Sequence, residues 1–225
     1  MTISSYTPNP SISAQLFHFT GFDKARNSFK PAADALKILQ RILQSRILLL
    51  APNKVYLMLP EGIDIVKAID TDVHMACLTE TPLEFIGSHI AKYGKFGLGF
   101  KIGWALRNGG QNVVYCDRNS PNSYTYLIAE IAGHFARTDM THNIQLVKWV
   151  AGLAAITENF ELRDEREWRF LRAPMVVGNR RGVEFFAEDL ETVICPKAYI
   201  SNVNETLKLM GFNPKVEPTE NYWTA

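Results

Sequence analysis

Two short stretches carry residue types suited to chemistry. The first is D-E-R-E-W-R-F-L-R, Asp164 to Arg172. Read as a strand, its side chains alternate between faces. Glu165, Glu167 and Arg169 then share one face, and Trp168 and Phe170 share the other. Two carboxylates about 6–7 Å apart on a core-anchored strand suit chemistry at a sugar carbon. The competing reading is a solvated edge on which Glu167 pairs with Arg169, and the nine residues alone favour it. The second stretch is Q-L-F-H-F-T, Gln15 to Thr20. It alternates too, with Leu16, His18 and Thr20 on a polar-topped face and Phe17 and Phe19 beneath. A lone strand histidine is more often structural, but His18 and Thr20 facing one cleft with the Glu-x-Glu pair would make a site.

Other signals are weaker. G-K-F-G-L-G, Gly94 to Gly99, lacks the G-x-x-x-x-G-K-[ST] pattern of a phosphate loop and fits close backbone packing in a strand better. His18, His74, His89, His134 and His142 show no H-E-x-x-H spacing, and His89 and His134 read as surface or half-buried helical residues. No metal site is expected. No G-x-S-x-G elbow occurs. Cys77, Cys116 and Cys195 are widely separated, which disfavours a disulfide scaffold or zinc module.

The elements that would position these residues follow from periodicity. A helix is predicted over Pro31 to Leu49, with Leu36, Leu39, Leu43 and Ile47 on one face. A loop spans Ala51 to Asp64. Val73 to Thr79 reads as a strand, followed by a helix capped by Thr81 that ends near Gly94. Phe96 to Phe100 and Asn112 to Cys116 read as strands, with a short helix at Ile102 to Arg107 between them. Helices are predicted over Tyr124 to Arg137 and Thr141 to Phe160. Strands at Val183 to Phe186, Thr192 to Cys195 and Asn213 to Glu217, and a helix at Asn202 to Met210, complete the set. Strands and helices do not alternate strictly, which predicts an α+β protein. The expected organisation is a flexible leader over 1–13, one domain over 14–218 and a tail over 219–225.

With 225 residues, 47% hydrophobic and 21% charged, the chain can bury a sizeable core, and its net charge of +1 gives no global field for nucleic acid or anionic membrane. No secretory signal or membrane-spanning run is present, so a cytoplasmic location is expected.

The order of segments also resembles known families. L-F-H-F-T (Leu16 to Thr20), followed by a helix with A-L-K-I-L-Q-R-I-L, is similar to the opening of the H-x-T branch of ADP-ribosyltransferases, including DarT-like nucleic-acid-modifying toxins. H-M-A-C-L-T-E-T-P-L-E-F (His74 to Phe85) and G-G-Q-N-V-V-Y-C (Gly109 to Cys116) resemble the strands that follow. Y-G-K-F-G-L-G-F (Tyr93 to Phe100), E-R-E-W-R-F (Glu165 to Phe170) and V-I-C-P-K-A-Y-I-S (Val193 to Ser201) resemble the AbiGi-like abortive phage-resistance family. The resemblance spans about residues 16–217.

It implies an ADP-ribosyltransferase-like split β-sandwich with flanking helices, and NAD as a substrate. His18 and Thr20 would hold nicotinamide and its ribose, with Tyr93 and Phe96 as aromatic clamps. Arg46, Arg41 or Lys54 would meet the pyrophosphate. Glu167 would support the cationic sugar of an oxocarbenium-like transition state, and Glu165 would activate the acceptor. The function implied is an NAD-dependent ADP-ribosyltransferase toxin or effector of phage defence, modifying nucleic acid or protein or hydrolysing NAD. The alternative is a catalytically inert antitoxin or binding partner of a two-gene abortive-infection system, with a partner protein. A third reading is an RNase-type toxin using His18 and Glu167.

Overall fold

The computed structural model describes residues 13–23, 26–55, 71–117, 124–137, 144–171, 175–178 and 180–223. The expected leader lies outside them but for Ser13, as does most of the expected loop at Ala51 to Asp64. The chain divides into two compact units: Met1–Leu48, Leu78–Asn108 and Gly182–Ala225 form the first, and Leu49–Cys77 and Gly109–Arg181 the second. Three of the crossings fall inside strands, Ile47–Leu49, Thr71–Thr79 and Arg180–Glu184. For that reason no Pro/Gly-rich linker marks them in the sequence. The architecture is α+β, as the sequence predicts.

The first unit holds a mixed sheet. Leu190–Cys195 runs parallel to Lys215–Pro218 and antiparallel to Gly97–Lys101, which in turn pairs antiparallel with Gln15–Phe19. Phe17 also pairs with Thr79 on its other side. The glycines of F-G-L-G-F are explained by this register. Gly99 lies opposite Phe17 and Gly97 opposite Phe19, and the phenylalanine rings occupy the space that side chains would need. A Cβ on Gly99 would stand 2.7 Å from the Phe17 ring and 2.8 Å from the Gln15 side-chain oxygen. Gly99→Ala is therefore expected to cost about 1–3 kcal/mol through overpacking, read as a lower urea midpoint; an unchanged midpoint would show that the ring has room to yield.

Helix Ala32–Ser45 buries Ala35, Leu36, Leu39 and Leu43, and ends where Arg46 turns left-handed at φ 55°. The predicted helix runs further, because Ile47 keeps the apolar spacing; the backbone instead enters the strand Ile47–Leu49. Gln40 Nε2 donates to Thr206 Oγ1 of helix Ile200–Met210 at 3.0 Å. That helix connects the two parallel strands and stops at Gly211, φ 72°. Phe100 stacks on Trp104 at 4.4 Å and meets Phe185 edge-on at 5.0 Å. The Trp104 indole N–H is satisfied by the Glu184 carbonyl at 2.8 Å.

After the strand ending at Thr79, the sequence predicts a single helix capped by Thr81. The chain forms a 3-10 turn, Leu83–Phe85, and then helix Gly87–Tyr93. Thr81 does not cap it. Its hydroxyl lies 2.8 Å from that of Thr79 and 3.4 Å from His89 Nε2, and Thr79 lies 3.0 Å from the same nitrogen. His89, expected at or near the surface, is 5% exposed. Its imidazole is kept by hydroxyl partners, as a buried polar group must be. At the C-terminal end, Thr219 is buried and donates to the Lys95 carbonyl at 2.8 Å, and Tyr222 and Trp223 pack on Phe17, Ile86, Ile90 and Ile194.

In the second unit, Glu167–Phe170 lies between Thr71–Thr79 and Gln111–Asn112. Ala51–Val55, expected as loop, is a strand antiparallel to Thr71–Thr79. Pro52 hides it in the sequence, yet proline is tolerated on an edge strand. Thr157–Asn159 runs parallel to Val114–Cys116. Helices Tyr124–Arg137 and Ile144–Ala155 supply Ile128, Ala129, Val150, Ala154 and Ala155 to a core with Met75. Among the described residues, no helix is long and apolar enough to cross a membrane.

Candidate functional site

The Glu-x-Glu stretch folds differently from an extended strand. Residues Phe160–Glu165 form a 3-10 turn, and Arg166 takes a left-handed conformation at φ 43°. The strand starts only at Glu167. Glu165 and Glu167 therefore do not project from one face of a common strand. A left-handed arginine carries no sequence signature, since glycine or asparagine is the usual occupant.

Trp168 and Phe170 are buried as expected, but so is Arg169, 8% exposed. Its guanidinium makes a fork on Glu167, Nε to Oε1 at 3.0 Å and Nη2 to Oε2 at 2.6 Å. Nη2 also donates to Glu158 Oε2 at 2.8 Å, and Nη1 to the Ala155 carbonyl at 2.6 Å. Burial works against the charge on Arg169, but the Glu167 hydrogen bonds and charge overcome it and hold the pKa above its ordinary value. This fork is the bidentate geometry for which arginine is suited. It matches the pairing of Glu167 with Arg169 that the nine residues favour, though buried rather than solvated.

Tyr115 and Glu158 complete the cluster, and sequence reasoning missed both. The Glu167 backbone N–H donates to the Tyr115 phenol oxygen at 2.6 Å. Glu158 and Tyr115 are register partners on the parallel strand pair. Burial pushes the Tyr115 phenol from 10.0 up to about 12; the Glu167 backbone N–H lowers it, and the charges of Glu167 and Glu165 raise it further. A raised folded-state pKa stabilises the fold fully below pH 10.0, and that contribution is lost as pH rises through about 12. Tyr222, also pushed from 10.0 up to about 12 chiefly by burial, titrates in the same window, and Cys195, pushed by burial from 9.0 up to about 12, in one that opens lower. Comparing urea midpoints of wild type and Tyr115→Phe across that window isolates the Tyr115 share. The variant is expected to show the shallower alkaline decline; parallel curves would contradict the assignment.

The other sequence-predicted residues lie in the first unit, apart from Lys54, which falls in the second. Thr20 is 6% exposed, and its hydroxyl donates to the Ala35 carbonyl at 3.3 Å. The face expected to be polar and open is covered, Leu16 being fully buried on it. His18 is half-buried opposite Leu98. Tyr93 stacks on Phe19 at 6.5 Å, and Phe96 is buried with its ring 5.5 Å from Tyr199. Arg46 donates to the Met210 carbonyl at 2.9 Å and lies 5.2 Å from the centre of the Phe212 ring. Its guanidinium is thus engaged with helix Ile200–Met210 and its flank.

One feature suited to binding was legible only in part. On helix Tyr124–Arg137, Tyr124, Leu127 and Ile131 recur at helical spacing and are 42%, 50% and 39% exposed. Ile128, which borders this stripe, and Ala129 fill the core. The periodicity in the sequence shows an apolar helix; it does not show that a second apolar stripe remains open to solvent.

Residues 65–192 match the family model described as putative abortive phage resistance protein AbiGi, antitoxin. No curated protein and no solved structure matches the chain. The family description overturns the expectation of an NAD-dependent ADP-ribosyltransferase toxin. It favours the alternative drawn from the same resemblance, an antitoxin of a two-gene abortive-infection system.

Proposed function

Because the chain belongs to the AbiGi abortive phage-resistance family, we propose that it is the antitoxin of a two-gene defence system, acting by binding a partner toxin protein rather than by covalent chemistry. The observation that carries this reading is the family match over residues 65–192. The Arg169 fork supports it, because the acid an enzymatic reading would need is committed to holding a buried cation. We place the partner contact on the stripe Tyr124, Leu127 and Ile131, which lies within the matched segment and exposes apolar surface beside buried core residues. Such a surface anchors a protein partner by burying a few large side chains.

The test is co-expression with the product of the neighbouring gene. The neighbour alone is expected to arrest growth, this chain alone to be harmless, and the pair to grow and co-purify. Arrest by this chain alone, or absence of a complex with its neighbour, would overturn the proposal. The ADP-ribosyltransferase-like scaffold suggested by the order of segments belongs to this reading only as a scaffold.

A further inference from the structure

A hollow of about 380 Å³ opens in the first unit, away from every residue of the Arg169 cluster in sequence and unit. Its walls come from the turn after strand Gln15–Phe19, the first turn of helix Ala32–Ser45, the end of helix Gly87–Tyr93, and the C-terminal Trp223. The size falls in the range of small-molecule sites, which are about 300–1,000 Å³ and mostly apolar with a few placed polar groups.

The apolar part is built from Phe29, Phe96, Ile90, Ala35 and Trp223. Phe96, Ile90 and Ala35 are nearly fully buried, so this wall is fixed by the core. Phe29 is 56% exposed and meets Phe22 edge-on at 5.8 Å, leaving a ring open to solvent at the lip. The base is a place where two backbones touch. A Cβ on Gly94 would stand 2.5 Å from the Gly21 Cα, and Gly94 has φ +103°. Only glycine at both positions lets these segments approach and leaves the space above them empty.

The polar part is cationic. Lys30 Nζ donates to the Phe22 carbonyl at 2.5 Å, and Lys95 Nζ sits 4.3 Å from the centre of the Trp223 ring. A carbonyl and an aromatic face position these ammonium groups without neutralising them. Among the described residues, neither forms an ion pair with a carboxylate, whereas Lys37, Arg107 and Lys215 do. The helix that begins at Ala32 has no side-chain cap, so its leading amides add positive potential on the same wall. Its one first-turn acid, Asp34, is engaged with Lys37 at 3.5 Å.

We infer that this hollow binds a small amphipathic anion: a flat aromatic body seated against Phe29, Phe96 and Trp223, with a carboxylate between Lys30 and Lys95. The ring supplies most of the buried area. The carboxylate selects against neutral analogues, because leaving it out forfeits two charge-assisted hydrogen bonds.

The test uses the full chain and three probes: 2-naphthoate, its uncharged analogue 2-naphthalenemethanol, and acetate. Binding is followed by NMR titration of backbone amides. 2-Naphthoate is expected to bind saturably and shift the amides of Gly21, Gly94 and Lys95, with the neutral analogue at least tenfold weaker and acetate without effect at the same concentration. Lys30→Gln with Lys95→Gln should bring 2-naphthoate down to the neutral analogue's affinity while leaving the neutral analogue unchanged. Ala91→Phe, which fills the hollow, should abolish both. Equal affinity for charged and neutral probes, or saturable shifts mapping elsewhere, would overturn the inference. Growth rescue in the co-expression assay reads the antitoxin proposal separately, so the two can fail independently.

Discussion

Arg169→Met is expected to lower the stability of the protein by about 3–5 kcal/mol, the usual cost of removing one partner from a buried ion pair. The guanidinium makes four hydrogen bonds, to Glu167 twice, to Glu158 and to the Ala155 carbonyl. Its side chain is 10% exposed, and those of Glu167 and Glu158 are 13% and 22% exposed. Solvent therefore cannot take over what the arginine supplied. Methionine fills a similar volume but leaves two carboxylates facing each other and a carbonyl without its donor. Arg169→Lys should recover only part of the loss, since one ammonium cannot reproduce the fork. Glu167→Gln, which keeps an acceptor in place, should cost less than Glu167→Ala. Urea unfolding of the four variants gives the order directly. An unfolding free energy for Arg169→Met within about 1 kcal/mol of wild type would show that the cluster contributes little to the fold.

The second large effect concerns the partner. Leu127→Asp is expected to weaken toxin binding by at least a hundredfold, about 3 kcal/mol, and to abolish growth rescue. The side chain is 50% exposed, so the substitution costs the free protein little. An aspartate there would be buried without a counter-charge on binding. Leu209 provides the control. It is 78% exposed, lies on helix Ile200–Met210 in the other unit, and falls outside the family-matched segment. Leu209→Asp should leave binding intact. The reverse outcome, rescue retained by Leu127→Asp and lost by Leu209→Asp, would move the interface to the first unit.

Period and composition made much of the fold legible. The helices at Ala32–Ser45, Tyr124–Arg137 and Ile200–Met210 and the strand at Gly97–Lys101 follow from spacing and from glycine stops. The same rules misplaced residues where a single backbone torsion decided the outcome. Alternation over D-E-R-E-W-R-F assumes that Arg166 is extended; at φ 43° it ends a 3-10 turn and separates Glu165 from Glu167. Thr81-Pro82 has the chemistry of a helix start, but the hydroxyl is drawn to Thr79 and His89, a partner that only the tertiary fold brings near. The Arg169 fork was half legible. A glutamate two residues before an arginine announces a pair, whereas Glu158 and Tyr115 arrive through a parallel strand pairing that no local pattern encodes. Burial then turned what reads as a wet edge into a closed cluster.

The interleaving of the two units has a consequence for synthesis. The unit carrying the Tyr124 helix ends at Arg181, whereas the other needs the strands at Leu190–Cys195 and Lys215–Pro218 to finish its sheet. During translation all residues of the helix-bearing unit precede the strands Leu190–Cys195 and Lys215–Pro218, which the sheet of the other unit needs beyond Gly97–Lys101. A nascent chain can thus hold every residue of the unit that exposes Tyr124, Leu127 and Ile131 before the sheet of the other unit can close.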